Sequence, residues 1–216
     1  MNFETARYHM IEQQLRTCEL LSPEQVEQLY ADRREAYVPD AYRALAFADT
    51  AIPLGQGVEM LTPKLEARLL LAAKLKGDER VLEIGTGSGH MAALLAERAA
   101  QVWSVEIDPV LAERARANLQ NEAIDTVIVE VGDGLSGLAA QAPFDRIVLS
   151  GGVTEVPAAL LAQLKIGGCL LAFVGTAPVM NLCRITRHAE GVDGLETLLE
   201  TAVPMLRQPA SPRFVF

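Results

Sequence analysis

The 216-residue chain has little positive charge. It carries 19 Lys and Arg residues against 28 Asp and Glu residues, which gives a formal net charge of −9 at pH 7. Proteins that bind nucleic acid use clustered Lys and Arg to neutralise phosphates. We therefore expect no nucleic-acid partner.

Long hydrophobic runs are also missing. The longest ones, around Leu69–Ala73 and Cys169–Val174, are too short to cross a bilayer. The N-terminal stretch MNFETARYHMIEQQLR contains no apolar segment of the signal-peptide kind. We expect no membrane partner and a cytoplasmic location.

Cysteine and histidine are scarce and scattered. The cysteines are odd in number and form no C-x-x-C pair, which disfavours a disulfide framework or a zinc site. The histidines form no metal-binding spacing. We predict no metal site, and reduced thiols mostly in core positions. The residues concerned are Cys18, Cys169, Cys183, His9, His90 and His188.

Half of the residues are hydrophobic, which is enough for a substantial core, and the length is typical of one domain. We predict a single domain over residues 1–216, with a helical N-terminal part over 1–62 and a core over 63–216. The first helix should span Glu4–Arg16, with Tyr8, Ile11 and Leu15 on one buried face.

Further helices are predicted at Pro23–Arg34 and at Pro63–Lys76, with Gly77 just past the end of the latter. Between them, residues 37–63 are rich in proline and glycine and lack periodicity. We predict a long irregular segment there, of the kind that is often functional.

Strands and helices alternate after Gly77. Helices are predicted at Gly89–Ala99, Pro109–Asn121 and Val156–Leu164. The strand patterns are RVLEIG, QVWSVEI, TVIVEVGD, FDRIVLSG and CLLAFVG. The tail NLCRITRHAEGVDGLETLLETAVPML predicts two antiparallel strands around a Gly-rich turn. The pattern indicates an α/β fold with a doubly wound, mostly parallel sheet, an antiparallel C-terminal edge and a helical N-terminal extension.

The sharpest motif is VLEIGTGSGH, a strand that runs into Gly85, Gly87 and Gly89 just before a helix. Glycines there allow the backbone to approach a ligand closely. A dinucleotide fingerprint begun at Gly85 fails at His90, although begun at Gly87 it is met with alanine in last place, so a nicotinamide cofactor stays open. The whole E-x-G-x-G-x-G stretch better resembles the loop of Rossmann-like methyltransferases that bind S-adenosylmethionine.

Acidic residues stand at or near the ends of three successive predicted strands. Glu106 is placed to accept hydrogen bonds from ribose hydroxyls, and Asp133, or the backbone beside it, to meet an adenine amino group. Together with Glu83 they are expected to face one crevice. Trp103, inside a strand pattern, is expected in the core.

Most of the chain resembles the protein-L-isoaspartate (D-aspartate) O-methyltransferase family, whose members methylate the abnormal carboxylate of isoaspartyl sites for repair. The matching stretches, in family order, are MIEQQLR, REAYVPDAYRALAFADTAIPLGQG, VLEIGTGSGH, VGDG, APFDRIVLSGG, VPAALLAQLKIGG and FVG. The resemblance implies an S-adenosylmethionine-dependent O-methyltransferase that acts on a protein or peptide with an isoaspartyl residue. The cofactor-binding residues that it implies are Glu83, Gly85, Gly87, Gly89, Glu106, Asp133 and Gly134.

The resemblance is weakest in the substrate loop, where the family pattern is G-x-G-Q-T-I-S-Q-P. Val58 stands at the glutamine, Glu59 at the threonine and Leu61 at the functional serine. The loop residues that we single out are Gly57, Glu59, Leu61 and Thr62, and no catalytic residue is assigned.

These replacements matter because the acceptor carboxylate is itself an anion. A carboxyl group of this kind has an ordinary pKa of about 4 and needs no general base, so catalysis depends on orientation and on exclusion of water. Glu59 would repel such an acceptor, and Leu61 cannot donate a hydrogen bond. Two alternatives therefore stay open: a sensor or scaffold that binds S-adenosylmethionine without transfer, and an enzyme for another acceptor, such as a small molecule or an amine. The sequence leaves open the oligomeric state and the order of the C-terminal strands.

Overall fold

The computed structural model describes residues 2–18, 21–189 and 192–208. The α-helices are α1 (Phe3–His9), α2 (Pro23–Ala31), α3 (Pro63–Ala73), α4 (His90–Ala96), α5 (Pro109–Asn121) and α6 (Ala158–Ala162). The strands are β1 (Ile52–Gly55), β2 (Val58–Met60), β3 (Arg80–Ile84), β4 (Gln101–Glu106), β5 (Val127–Val131), β6 (Phe144–Val153), β7 (Leu164–Thr176), β8 (Val179–Ala189) and β9 (Val192–Thr201).

The core is a seven-stranded sheet in the order β5-β4-β3-β6-β7-β8-β9. Strands β3 to β7 pair in parallel, whereas β8 and β9 are antiparallel additions at one edge. Consecutive residues of a strand point to opposite faces, so Val81 and Leu82 belong to two separate apolar clusters. The predicted fold class is confirmed, and Trp103 is buried as expected.

The first helix is shorter than predicted. α1 ends at His9 and is followed by a π-helix over Met10–Leu15 and a 3₁₀ turn over Arg16–Cys18. A π-helix has more residues per turn than an α-helix, so α-helical spacing does not place side chains correctly across the junction. Ile11 and Leu15 are buried as predicted, but Tyr8 is 52% exposed.

Other helix ends also differ from the sequence prediction. α3 stops at Ala73 because Lys74 adopts a left-handed conformation with φ of 49°, so Gly77 is not its cap. α2 ends three residues before Arg34, and α4 and α6 are shorter at both ends than predicted. Helix termini are the least reliable part of a prediction from periodicity.

Residues 37–63 are more ordered than predicted. They contain a 3₁₀ helix over Asp40–Leu45 and an antiparallel hairpin of β1 and β2. Its turn, Gly55, Gln56 and Gly57, has three consecutive positive φ values of 102°, 53° and 77°. The predicted substrate loop is therefore a hairpin of defined shape, which we call the substrate hairpin (residues 52–60).

The C-terminal tail forms the predicted antiparallel pair, β8 and β9. Part of the predicted Gly-rich turn, Glu190 and Gly191, lies outside the described residues. Of the thiols, Cys169 and Cys183 are buried and Cys18 is exposed. Over the part of the chain that the structure describes, no helix is long and apolar enough to cross a membrane, and no cluster of potential metal ligands was found.

Candidate cofactor cleft and substrate hairpin

A cleft opens at the carboxyl ends of β3 and β4. In parallel α/β sheets, this is where ligands bind. Its walls come from the glycine loop after β3, the end of β4, the turn after β5, the substrate hairpin and residues 204–207. Its lining residues include Gly57, Glu59, Leu61, Gly85, Gly87, Glu106, Gly134, Leu206 and Arg207.

The glycine loop forms the floor of this cleft. Gly85, with φ of 90°, lies so close to the C-terminal segment that a Cβ there would be 2.6 Å from Leu206 Cδ2. Gly87 also lines the cleft. Gly89 is not among the lining residues, because it precedes α4 and packs against Ala115.

Glu106 lies where the sequence placed it, on the cleft wall at the end of β4. Its Oε2 accepts a hydrogen bond from the Gly87 backbone N–H at 2.9 Å, and its Oε1 accepts one from Asp108 N–H at 3.0 Å. These bonds fix the carboxylate while leaving lone pairs for a ligand. The arrangement suits an acceptor of two ribose hydroxyl protons.

Glu83 lies deeper than predicted. It is fully buried and borders a smaller inner cavity, which Glu59 and Leu61 also line. It accepts hydrogen bonds from Ser104 Oγ at 2.6 Å and Ser150 Oγ at 2.7 Å. Burial raises the pKa of Glu83 to about 7, although the two serine hydroxyls act in the opposite direction.

Asp133 does not line the cleft. Its carboxylate accepts hydrogen bonds from Leu135 N–H at 3.1 Å and Ser136 Oγ at 3.0 Å, and so it caps a 3₁₀ turn. Gly134 lines the cleft instead, where a Cβ would be 2.5 Å from Ile84 Cγ2. The three acids therefore have different surroundings: Glu106 lines the outer cleft, Glu83 borders the inner cavity, and Asp133 caps the turn that carries Gly134.

The substrate hairpin covers the other side of the cleft. Glu59 is exposed and lines both the outer cleft and the inner cavity, as does the buried Leu61. Gly57 lines the outer cleft. Thr62 serves a structural purpose, because its hydroxyl accepts the Leu65 N–H and caps α3.

Sequence reasoning missed one wall, the C-terminal segment (residues 203–207). Gly152 N–H donates to Pro204 O and Leu206 N–H donates to Gly152 O, both at 2.8 Å. Arg207 then bonds to Asp108 Oδ2 at 2.9 Å and to the carbonyl of Gln56 in the hairpin turn. The apolar residues after β9 were the available signal, but nothing in their spacing indicates which groove they enter.

A buried charge cluster (Asp32, Arg34, Glu66 and His90) supports the hairpin from behind; each member is at most 6% exposed. Arg34 pairs with Glu66 and donates to the carbonyl of Leu61 at 2.7 Å. His90 contacts Glu66 through Nδ1 and Asp32 through Nε2, both at 3.0 Å.

The charges of the cluster balance only if His90 is protonated. Burial by itself would lower the pKa of His90, but Glu66 and Asp32 override it and raise the pKa to about 9. At neutral pH the cluster holds two anions and two cations. It ties the end of the hairpin to α3 and to the start of α4, directly after the glycine loop.

Known proteins match this chain over most of its length. The family model described as protein-L-isoaspartate(D-aspartate) O-methyltransferase matches residues 5–206. A protein-L-isoaspartate O-methyltransferase of Opitutus terrae is 37% identical over 203 residues, which cover 94% of this chain and 87% of that protein. One of Myxococcus xanthus is 42% identical over 183 residues, with 82% and 86% covered.

Solved structures share the fold. A protein-L-isoaspartate O-methyltransferase has a TM-score of 0.81 at 24% identity, covering 95% of this chain and 66% of its own. A Plasmodium falciparum protein assigned to the same activity, in complex with S-adenosyl-L-homocysteine, has a TM-score of 0.80 at 18% identity, covering 96% and 99%.

Proposed function

Because the chain belongs to the protein-L-isoaspartate(D-aspartate) O-methyltransferase family, and is thus an S-adenosylmethionine-dependent methyltransferase, we propose that it methylates isoaspartyl carboxylates in damaged proteins. The observation that carries the proposal is the cleft between glycine loop and substrate hairpin. It is bordered by the hairpin that corresponds to the family's substrate loop. An isoaspartyl protein or peptide would be the partner, and the cytoplasm the location.

Specific residues would hold the cofactor. Glu106 would bind the ribose hydroxyls, the backbone of Gly85 and Gly87 would follow the methionine part, and Gly134 would leave room for adenine. Gly89 and Asp133 would act indirectly, since they shape the start of α4 and the turn after β5. Glu83 would face the ammonium end from the inner cavity.

The transfer is a direct displacement. S-adenosylmethionine supplies a methyl group on a sulfonium; as the acceptor oxygen bonds to the methyl carbon, the carbon–sulfur bond breaks and S-adenosylhomocysteine leaves. The acceptor is already ionised, so no side chain needs to remove a proton. The chain's own task is to orient the acceptor and to exclude water. The substrate hairpin and the C-terminal segment, which close the cleft on two sides, suit this task.

We also propose that residues 1–216 act as one domain. Residues 63–216 would carry the cofactor, and residues 1–62 would carry the substrate hairpin and its support. The buried charge cluster favours this division of labour within one unit, because Asp32 and Arg34 of the first part pair with Glu66 and His90 of the second.

A matched pair of peptides tests the acceptor. With radiolabelled S-adenosylmethionine, we expect base-labile methyl incorporation into a peptide with one isoaspartyl residue and none into the same peptide with ordinary aspartate. Calorimetry with S-adenosylmethionine on the same preparation is the control. Binding of the cofactor without transfer to the isoaspartyl peptide would contradict the proposed acceptor.

A further inference from the structure

Three carboxylates without a basic partner surround the cleft. Glu59 and Glu106 line its outer part, and Glu59 and Glu83 line its inner cavity. Among the residues that the structure describes, none of these three forms a salt bridge. The other charges on the walls are compensated, since Arg207 pairs with Asp108 and Glu66 pairs with Arg34 and His90. The cleft therefore carries an uncompensated negative charge.

Glu59 is the member of this group that distinguishes the chain from the family pattern, in which a threonine stands at this position. Its side chain is exposed, and it borders both cavities together with Gly85 and Gly87 of the glycine loop. It therefore adds an acidic group to the cleft wall in addition to Glu106.

Substrate and product of the methyl donor differ mainly in charge. S-adenosylmethionine carries a sulfonium, an ammonium and a carboxylate, and has a net charge of +1. S-adenosylhomocysteine has lost the methyl group and the sulfonium charge and is neutral overall. A carboxylate near the sulfur therefore attracts the first more strongly than the second, whereas apolar contacts hardly distinguish them.

We propose that Glu59 is a specificity-determining residue that makes the cleft bind the charged methyl donor more tightly than the neutral thioether product. The inference rests on the proposed function, because it needs S-adenosylmethionine in this cleft. Its consequence is that the product leaves readily and that product inhibition is weak. The negative charge of Glu59 also repels an anionic acceptor. The chain therefore binds the acceptor carboxylate less tightly, while it discriminates better between methyl donor and product.

Glu83 provides an independent readout. Its pKa is raised to about 7, and Glu59, Glu66 and Glu106 are the charged groups around it. A cation that enters the inner cavity favours the ionised carboxylate, so binding of S-adenosylmethionine at pH 7 releases a proton from Glu83. The product carries the same ammonium group, so proton release reports that either ligand has entered the inner cavity.

Calorimetry with the purified full chain tests the proposal. The dissociation constants of S-adenosylmethionine and S-adenosylhomocysteine are measured for wild type, Glu59→Gln and the control Glu27→Gln. Glu27 is exposed on α2 and does not line the cleft, so Glu27→Gln removes the same charge from the protein without changing the cleft. Measurements in two buffers with different ionisation enthalpies give the number of protons released.

In wild type we expect tighter binding of S-adenosylmethionine than of S-adenosylhomocysteine. In Glu59→Gln this preference should fall roughly three- to tenfold, through loss of donor affinity, as expected for one charge at a few ångströms in partly screened surroundings. Glu27→Gln should keep the wild-type ratio.

The possible outcomes distinguish a failure of this inference from a failure of the proposed function. Failure of wild type to bind either ligand overturns the proposed function and the inference with it. Normal donor binding with the same preference in wild type and Glu59→Gln overturns the inference alone. Equal weakening of both ligands in Glu59→Gln does so too, because it indicates a lost shape rather than a lost charge.

Discussion

At the scale of single residues, Gly85 is where the cofactor loop and the C-terminal segment come closest. Its φ of 90° is unfavourable for any residue with a Cβ, and the space that a Cβ would need is taken by Leu206. The effect of the positive φ can be measured separately from that of crowding, because Gly167 has a similar φ of 81° but no atom within 4 Å of its Cβ position.

We predict that Gly85→Ala lowers the free energy of unfolding by roughly 2–4 kcal/mol, since backbone strain and overpacking add up. S-adenosylmethionine affinity should fall by roughly tenfold or more, since 1.4 kcal/mol is tenfold in binding. The control Gly167→Ala should lose only about 1 kcal/mol of stability and no affinity. Urea unfolding and calorimetry provide the measurements, and equal effects of both variants would contradict the role given to Leu206.

At the scale of elements, the C-terminal segment and the substrate hairpin meet above the cleft. Backbone bonds to Gly152 attach the segment to β6, and Arg207 connects its end to Gln56 and Asp108. Arg207 therefore bridges the hairpin turn and the loop after β4, on two sides of the cleft.

Arg207→Ala should open this bridge without disturbing the sheet. We expect S-adenosylhomocysteine to dissociate roughly three- to tenfold faster, because a partly exposed charge-assisted hydrogen bond contributes about 1 kcal/mol. Stability should hardly change. Arg184→Ala, which removes the ion pair with Glu196 at the far edge of the sheet, is the control. Stopped-flow displacement measures both rates, and an unchanged rate in Arg207→Ala would argue against the bridge.

At the scale of the whole molecule, the buried charge cluster makes stability depend on pH. The pKa of His90 is raised to about 9, above the value near 6.5 of an unfolded histidine. His90 thus contributes stability that is fully present below pH 6.5 and is lost as the pH rises through 9. Glu83 adds to the same trend at lower pH, because its pKa of about 7 lies above that of an unfolded carboxyl group.

Wild type should therefore lose stability between pH 6.5 and 9.5, by roughly 1–3 kcal/mol from His90. His90→Gln should be destabilised by about 3 kcal/mol at pH 6.5 and should show much less change across this interval, because it leaves two carboxylates for one arginine. His9→Gln, at an exposed histidine of α1, should behave as wild type. Urea unfolding over this pH range is the measurement, and parallel pH profiles of wild type and His90→Gln would exclude the cluster as the cause.

Local patterns predicted much of this architecture. The alternation of strands and helices predicted the parallel core, and the motif around Gly85 and Gly87 predicted the cleft. Both features depend on residues that are close together in sequence. The substrate hairpin was missed: Pro53 and the glycines indicated an irregular segment, although they form one strand and a turn.

Contacts between distant residues could not be predicted in the same way. Arg34 and His90 are 56 positions apart, and Arg207 and Gln56 are 151 apart. Only the folded topology brings them together. Asp133 shows that a correct position along the chain does not fix the role of a side chain. It follows a strand as predicted, but its carboxylate accepts hydrogen bonds from the neighbouring Leu135 N–H and Ser136 hydroxyl.

The position of the C-terminal segment also orders events during synthesis. The glycine loop and Glu106 leave the ribosome first, yet Leu206 and Arg207, which form part of the cleft wall, follow about a hundred residues later. Domains generally fold as units, so a nascent chain lacks one wall of the cleft until these residues have been made. Ribosome-bound or prematurely terminated chains that lack these residues should therefore compete poorly for S-adenosylmethionine.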